Sequence, residues 1–202
     1  MFEAVRIGTA IVIAIAVTIA EISVGGAAHS TSLILDGLHV AADLAALLAS
    51  LIIALVLWRQ EMTEPVEAAF EQRLHRFGSK VNARLLIAVV IGAYLSAVIR
   101  FIWPHETEGE LVFWWALGGL GGNIIQRFVL TRCPCAYHRS IQLHIMSDMW
   151  TSITVIIGGA AVALTGWNWL DPLVTIGMAG YISITIVRLF EAINNGQFGH
   201  HH

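Results

Sequence analysis

Two segments of this sequence repeat one chemical arrangement, His39-Val40-Ala41-Ala42-Asp43 and His144-Ile145-Met146-Ser147-Asp148. In each, an imidazole precedes a carboxylate by four residues, a spacing that puts both on one face of an α-helix about a turn apart. Each helix can therefore aim two donors at one point. Two such helices facing one another supply two nitrogens and two oxygens, the number and type of donor that a tetrahedral zinc ion accepts. Of the nine histidines in the chain, only these two begin a His-x-x-x-Asp pattern. A plainer reading stands beside the metal site: two unrelated His–Asp hydrogen bonds, each inside its own helix, would give the same pattern.

The surroundings make these residues conspicuous. Only four aspartates occur, and Asp36, Asp43 and Asp148 fall in apolar stretches, where an ionised group costs several kcal/mol unless something holds it. Asp36 lies three residues before His39 on the same face. It reads as an outer relay, a proton site or an accessory ligand, and equally as a structural cap. Asn123, Ser147 and Glu21 are further secondary candidates that could polarise or hydrate a cavity, or simply bond across helices. Cys133 and Cys135 flank Pro134 in what reads as a reducing loop, so no disulfide framework is expected and a turn is favoured over a metal role.

Positioning four such side chains requires long helices. With 57 % hydrophobic and 12 % charged residues, the chain has too little polar surface to coat a soluble globule, and the bilayer is its expected solvent. A span takes about 20 mainly apolar residues. Six such stretches appear, near 8–26, 32–58, 83–103, 111–130, 141–164 and 170–190. The first lacks a signal-peptide cleavage pattern and reads as a retained helix. At about 1.5 Å of rise per residue, the two His/Asp pairs come to comparable depths and can share a level. The fold expected is an all-α membrane protein, a six-helix bundle forming one domain over 1–195. Residues 196–202, ending His200-His201-His202, read as a short tag-like tail with no C-terminal soluble domain.

The links carry their own signals. The segment from Arg59 to Lys80, with Glu61, Glu64, Glu67 and Glu71 ahead of Arg73 and Arg76, reads as a partly helical connector. Pro104 closes the third span and Asp171-Pro172 opens the sixth. Glycines at 118, 119, 121, 122, 158, 159, 177 and 180 are expected where spans pack closely. Six spans put both termini on one side, together with Arg6, Arg59, Arg73, Arg76, Lys80, Arg84, Arg127, Arg132, Arg139 and Arg188, and leave Arg100 opposite. The positive-inside rule then makes both termini cytoplasmic.

The stretches Leu35-Asp36-Gly37-Leu38-His39-Val40-Ala41-Ala42-Asp43 and Leu143-His144-Ile145-Met146-Ser147-Asp148 resemble the cation diffusion facilitator family of metal transporters. Asn123, Gly158-Gly159 and Trp169-Leu170-Asp171-Pro172 are similar to that family's pattern too, so the likeness covers nearly the whole chain. It implies a homodimeric metal/proton antiporter of a bacterial inner membrane, exporting Zn2+ by alternating access, with Cd2+, Co2+ or Fe2+ as lesser substrates. By the same resemblance His39, Asp43, His144 and Asp148 form the central metal site. The family's usual cytoplasmic C-terminal domain and His-rich loop are missing from the sequence, so dimerisation is expected to rest on the membrane helices. The partners expected are metal ion, protons and lipid, with no nucleic acid. Two rival functions remain: an intramembrane zinc-dependent enzyme, which would need an open coordination position and a nearby general base, and a metal sensor that moves nothing.

Overall fold

The computed structural model describes residues 2–61, 68–130 and 136–194; side chains are not described over 2–7, at most positions of 46–61, over 68–76, at 79, 130 and 189, over 136–147 or over 192–194. Within those bounds the chain forms six helices: α1 (Phe2–Ala27), α2 (Thr31–Glu61), α3 (Ala68–Ile102), α4 (Gly109–Leu130), α5 (Ala136–Thr165) and α6 (Leu170–Asn194). No strand occurs among the described residues, as expected of a chain whose backbone must satisfy its own hydrogen bonds in lipid. The anticipated spans all fall on helices. Several helices run on beyond them, most clearly α3, whose polar first turns belong to the expected connector. Residues 62–67, the Cys133-Pro134-Cys135 loop and the tail from 195 onward lie outside the described residues.

Burial is inverted relative to a water-soluble protein. Glu21, Asp36, His39, Asp43, Asn123, Gln126 and Asp148 are all buried, whereas Trp114, Phe128, Trp150, Ile157 and Leu164 stand exposed. Exposed apolar surface on this scale calls for an apolar solvent. Four helices contain described stretches long and apolar enough to cross a membrane: Gly8–Ala27, Lys80–Ile102, Asp148–Thr165 and Leu170–Arg188. The other two, α2 and α4, carry buried polar groups and pack against α1 inside the same bundle.

One end of the bundle is knitted together by side chains. Just past α1 stands His29, whose positive φ of 50° supports paired bonds from Ser30 N to the Gly25 carbonyl (2.8 Å) and from His29 N to the Gly26 carbonyl (3.3 Å). The chain turns at once into α2. There the buried Asp171 carboxylate, reaching across from α6, accepts from Thr31 N (2.7 Å) and Ser32 N (3.3 Å), and from the hydroxyls of Ser30 (2.7 Å), Thr31 (2.7 Å) and Ser32 (2.6 Å). A residue expected to open its own helix thus caps another, taking up backbone N–H groups that α2 would otherwise leave unpaired. Arg100 Nη2 lies 3.9 Å from Asp171, donates to Thr107 Oγ1 (2.7 Å) and also donates to the His29 carbonyl. This fastening sets the start of α2, and with it the register of His39 and Asp43.

The helix crossings depend on small residues. A Cβ at Gly109 would lie 2.5 Å from Ala163 N and 2.7 Å from the Gly159 carbonyl oxygen, so α4 and α5 meet backbone to backbone there. Gly119 and Gly122 face Glu21 and Val17 of α1, and Gly158 faces Val174 of α6. The neighbouring Gly118, Gly121 and Gly177 open onto free space, so close packing accounts for only part of the glycine pattern.

Candidate metal centre

α2 and α5 bring three of the four expected ligands together. His39, Asp43 and Asp148 are 3 %, 7 % and 5 % exposed, and one donor atom from each falls within 4.8 Å of the others. His39 Nε2 stands 3.5 Å from Asp148 Oδ1 and 4.0 Å from Asp43 Oδ2. Those separations are too long for hydrogen bonds, and neither imidazole nitrogen has another partner among the described residues. Two donors each about 2.1 Å from a tetrahedral zinc stand roughly 3.4 Å apart. The spacing therefore suits three groups converging on a cation better than it suits the two internal His–Asp hydrogen bonds, of which the described one, His39 to Asp43, is not formed. His144 lies one turn before Asp148 on α5, but its side chain and that of Ser147 are outside the described residues.

A second group of buried polar residues sits one turn away, toward the α1–α2 turn. Asn123 Nδ2 donates to Ser152 Oγ (3.4 Å), and Ser152 Oγ donates to Asp36 Oδ2 (2.9 Å), linking α4, α5 and α2. Asp36 and Asn123 are thus joined to each other through Ser152 rather than to the ligand trio. Ser152 went unnoticed in the sequence, although it follows Asp148 by four residues and so shares its face. Glu21 of α1 is 1 % exposed, and neither of its carboxylate oxygens has a hydrogen-bond partner among the described residues. His29 and His105 are exposed at the knitted end, their rings stacked 6.2 Å apart.

Comparison with known proteins gives a consistent picture. Residues 7–192 match the family model of the cation efflux transmembrane domain. The zinc transporter ZitB of Yersinia pestis is 30 % identical over 167 residues, covering 81 % of this chain and 52 % of the relative. ZitB of Escherichia coli K12 is 29 % identical over 172 residues, covering 83 % and 53 %. A cadmium, cobalt and zinc/H(+)-K(+) antiporter of Bacillus velezensis is 26 % identical over 157 residues, covering 75 % and 49 %. The chain spans about half the length of the curated relatives it matches.

Proposed function

The chain belongs to the cation efflux family, and from that membership we propose that it carries a divalent transition metal, zinc foremost, across a plasma membrane in exchange for protons. The observation that supports this most is the approach of His39 Nε2 to two carboxylates at 3.5 and 4.0 Å, with no hydrogen bond made by the imidazole. His144, one turn before Asp148 on α5, supplies the fourth donor. Two nitrogens and two oxygens favour zinc and leave cadmium, cobalt and iron as weaker substrates. The names of the ZitB relatives and of the Bacillus antiporter support the same substrate class.

The ligands themselves make metal binding sensitive to protons. A metal binds neutral imidazole and ionised carboxylate, so every proton that arrives competes for the same atoms. Metal loaded on one side is displaced where protons are more abundant, provided the bundle exposes the site to the two sides in turn. The charge distribution supports cytoplasmic termini, which makes the direction export. Family membership also favours a carrier over the intramembrane enzyme and the sensor.

Purified protein in liposomes tests the reading. An imposed pH gradient, acidic on the side that receives the metal, is expected to accelerate zinc movement, and dissipating the gradient should slow it. Zinc flux indifferent to the pH gradient would refute the proton exchange, and an absence of flux would refute transport.

A further inference from the structure

Glu21 is the buried group for which the metal site has no use. It lies on α1, where Gly37 of α2 comes so near that a Cβ there would meet Glu21 Cβ at 3.1 Å. Its carboxylate presses on Gly119 of α4, occupying the space that a side chain at that position would need. Both of its oxygens are buried and accept no hydrogen bond. The Asn123 side-chain oxygen, one turn along α4 from Gly119, is likewise buried and unpartnered, because its amide nitrogen is turned to Ser152. Asp36 completes the group from α2, held by the Ser152 hydroxyl at 2.9 Å.

The surroundings of this group are almost wholly acceptors. Asp36 of α2 and Asp148 of α5 both lie near enough to act on Glu21 electrostatically, and His39 acts in the same way on Asp36. From α4 come Gly119 and Asn123, neither charged. Asp36 accepts from the Ser152 hydroxyl, but the Glu21 oxygens and the Asn123 side-chain oxygen have no donor among the described residues, and buried acceptors in that state call for a positive species. Oxygen donors alone are a poor match for zinc, which takes nitrogen and sulfur readily, and they suit hard cations. A hard divalent ion needs about six oxygens or retained water, which a group 0–1 % exposed does not offer. An alkali-metal ion is no less demanding of oxygens, whereas a proton needs a single carboxylate oxygen.

We propose that Glu21, with Asp36 and the side-chain oxygen of Asn123, binds a proton that the protein exchanges for its divalent metal. The assignment rests on the transport reading above. Asp36 precedes His39 by one turn of α2, so the two stations lie about 5 Å apart along that helix. Positive charge in one raises the cost of filling the other in a medium of low dielectric, and that mutual exclusion is what an exchanger requires.

The test is zinc movement in proteoliposomes under separate pH, potassium and sodium gradients, with wild type, Glu21→Gln and Glu21→Asp, beside calorimetric zinc affinity for each. In wild type the pH gradient is expected to accelerate flux, and acceleration by potassium or sodium alone would overturn the assignment. Glu21→Gln, which removes the negative charge as a bound proton does, is expected to lose that acceleration by about tenfold or more, within the range usual for coupled sites, and to bind zinc somewhat more weakly than wild type. Glu21→Asp, which keeps the charge, should recover part of it. A Glu21→Gln protein that answers the gradient like wild type overturns the assignment. So does one that no longer binds zinc at all, since Glu21 would then serve the metal site or the fold. A wild-type protein that moves no zinc under any gradient would defeat the transport reading, and this assignment with it.

Discussion

At the scale of single residues, the central site rests on a distance. His39 and Asp43 sit a turn apart on α2, and a His–Asp hydrogen bond would have drawn them together. Instead the imidazole stands 4.0 Å from one carboxylate and 3.5 Å from another on a different helix. Replacing Asp148 by Asn keeps the shape and removes the charge, so zinc affinity should fall by at least about a hundredfold, beyond the 10–100-fold typical of residues that only support a ligand. Ser152→Ala, which removes a donor to Asp36 but no ligand, should cost less than Asp148→Asn in the same titration. Affinity should also decline as the pH is lowered, because protons compete for the donor atoms. The His-x-x-x-Asp pairs were legible because a helix fixes the relation between residues four apart. The Asp171 contacts with Ser30, Thr31 and Ser32 were not, since they join residues some 140 apart and no local spacing encodes them.

At the scale of elements, the helices followed their own punctuation. Pro104 stands just past the end of α3, Asp171-Pro172 lies in the first turn of α6, and α4 begins at Gly109, close to the expected 111. Which face of a helix meets which neighbour was less legible, as the glycines illustrate. Gly118 and Gly119 are adjacent in sequence, yet Gly119 lies under Glu21 while Gly118 faces open space. Composition marks both as packing residues, and only the rotation of α4 tells them apart. At Gly159 a Cβ would lie 2.9 Å from Phe113 N and 3.2 Å from the Gly109 carbonyl oxygen, both backbone atoms with little freedom to move. Gly159→Ala is therefore expected to destabilise the protein by about 1–3 kcal/mol through overpacking. Gly118→Ala should stay within about 0.5 kcal/mol of wild type or gain slightly from helix propensity. Thermal unfolding of both variants in one detergent checks the pair, and equal shifts would contradict the crossing described.

At the scale of the whole molecule, polar groups are gathered inside and apolar ones face outward. Five of the seven tryptophans, Trp103, Trp114, Trp115, Trp167 and Trp169, are exposed at or near the end where α3 leads to α4 and α5 to α6, as in the aromatic belt of a membrane interface. All but one of the Lys and Arg residues are assigned to the other end by the chain's path, which is the basis for placing the termini in the cytoplasm. Cys133 and Cys135 are the only cysteines and share one loop at that end, so a membrane-impermeant maleimide should label them only after the cell membrane is opened. Labelling of intact cells would reverse the orientation and with it the direction of export. The bilayer environment was legible from composition because it acts on every residue. Convergence of α2 and α5 on one point follows from packing, and the sequence offered it only as equal depth. X-ray absorption at the zinc edge, on protein loaded with one equivalent of zinc and with His200, His201 and His202 replaced by alanine, probes that convergence at the metal itself. Four nitrogen and oxygen neighbours at about 2.0–2.2 Å, including imidazole, are the expected result, with the signal altered in Asp148→Asn. Sulfur neighbours at about 2.3 Å, or a spectrum unchanged by that substitution, would contradict the account.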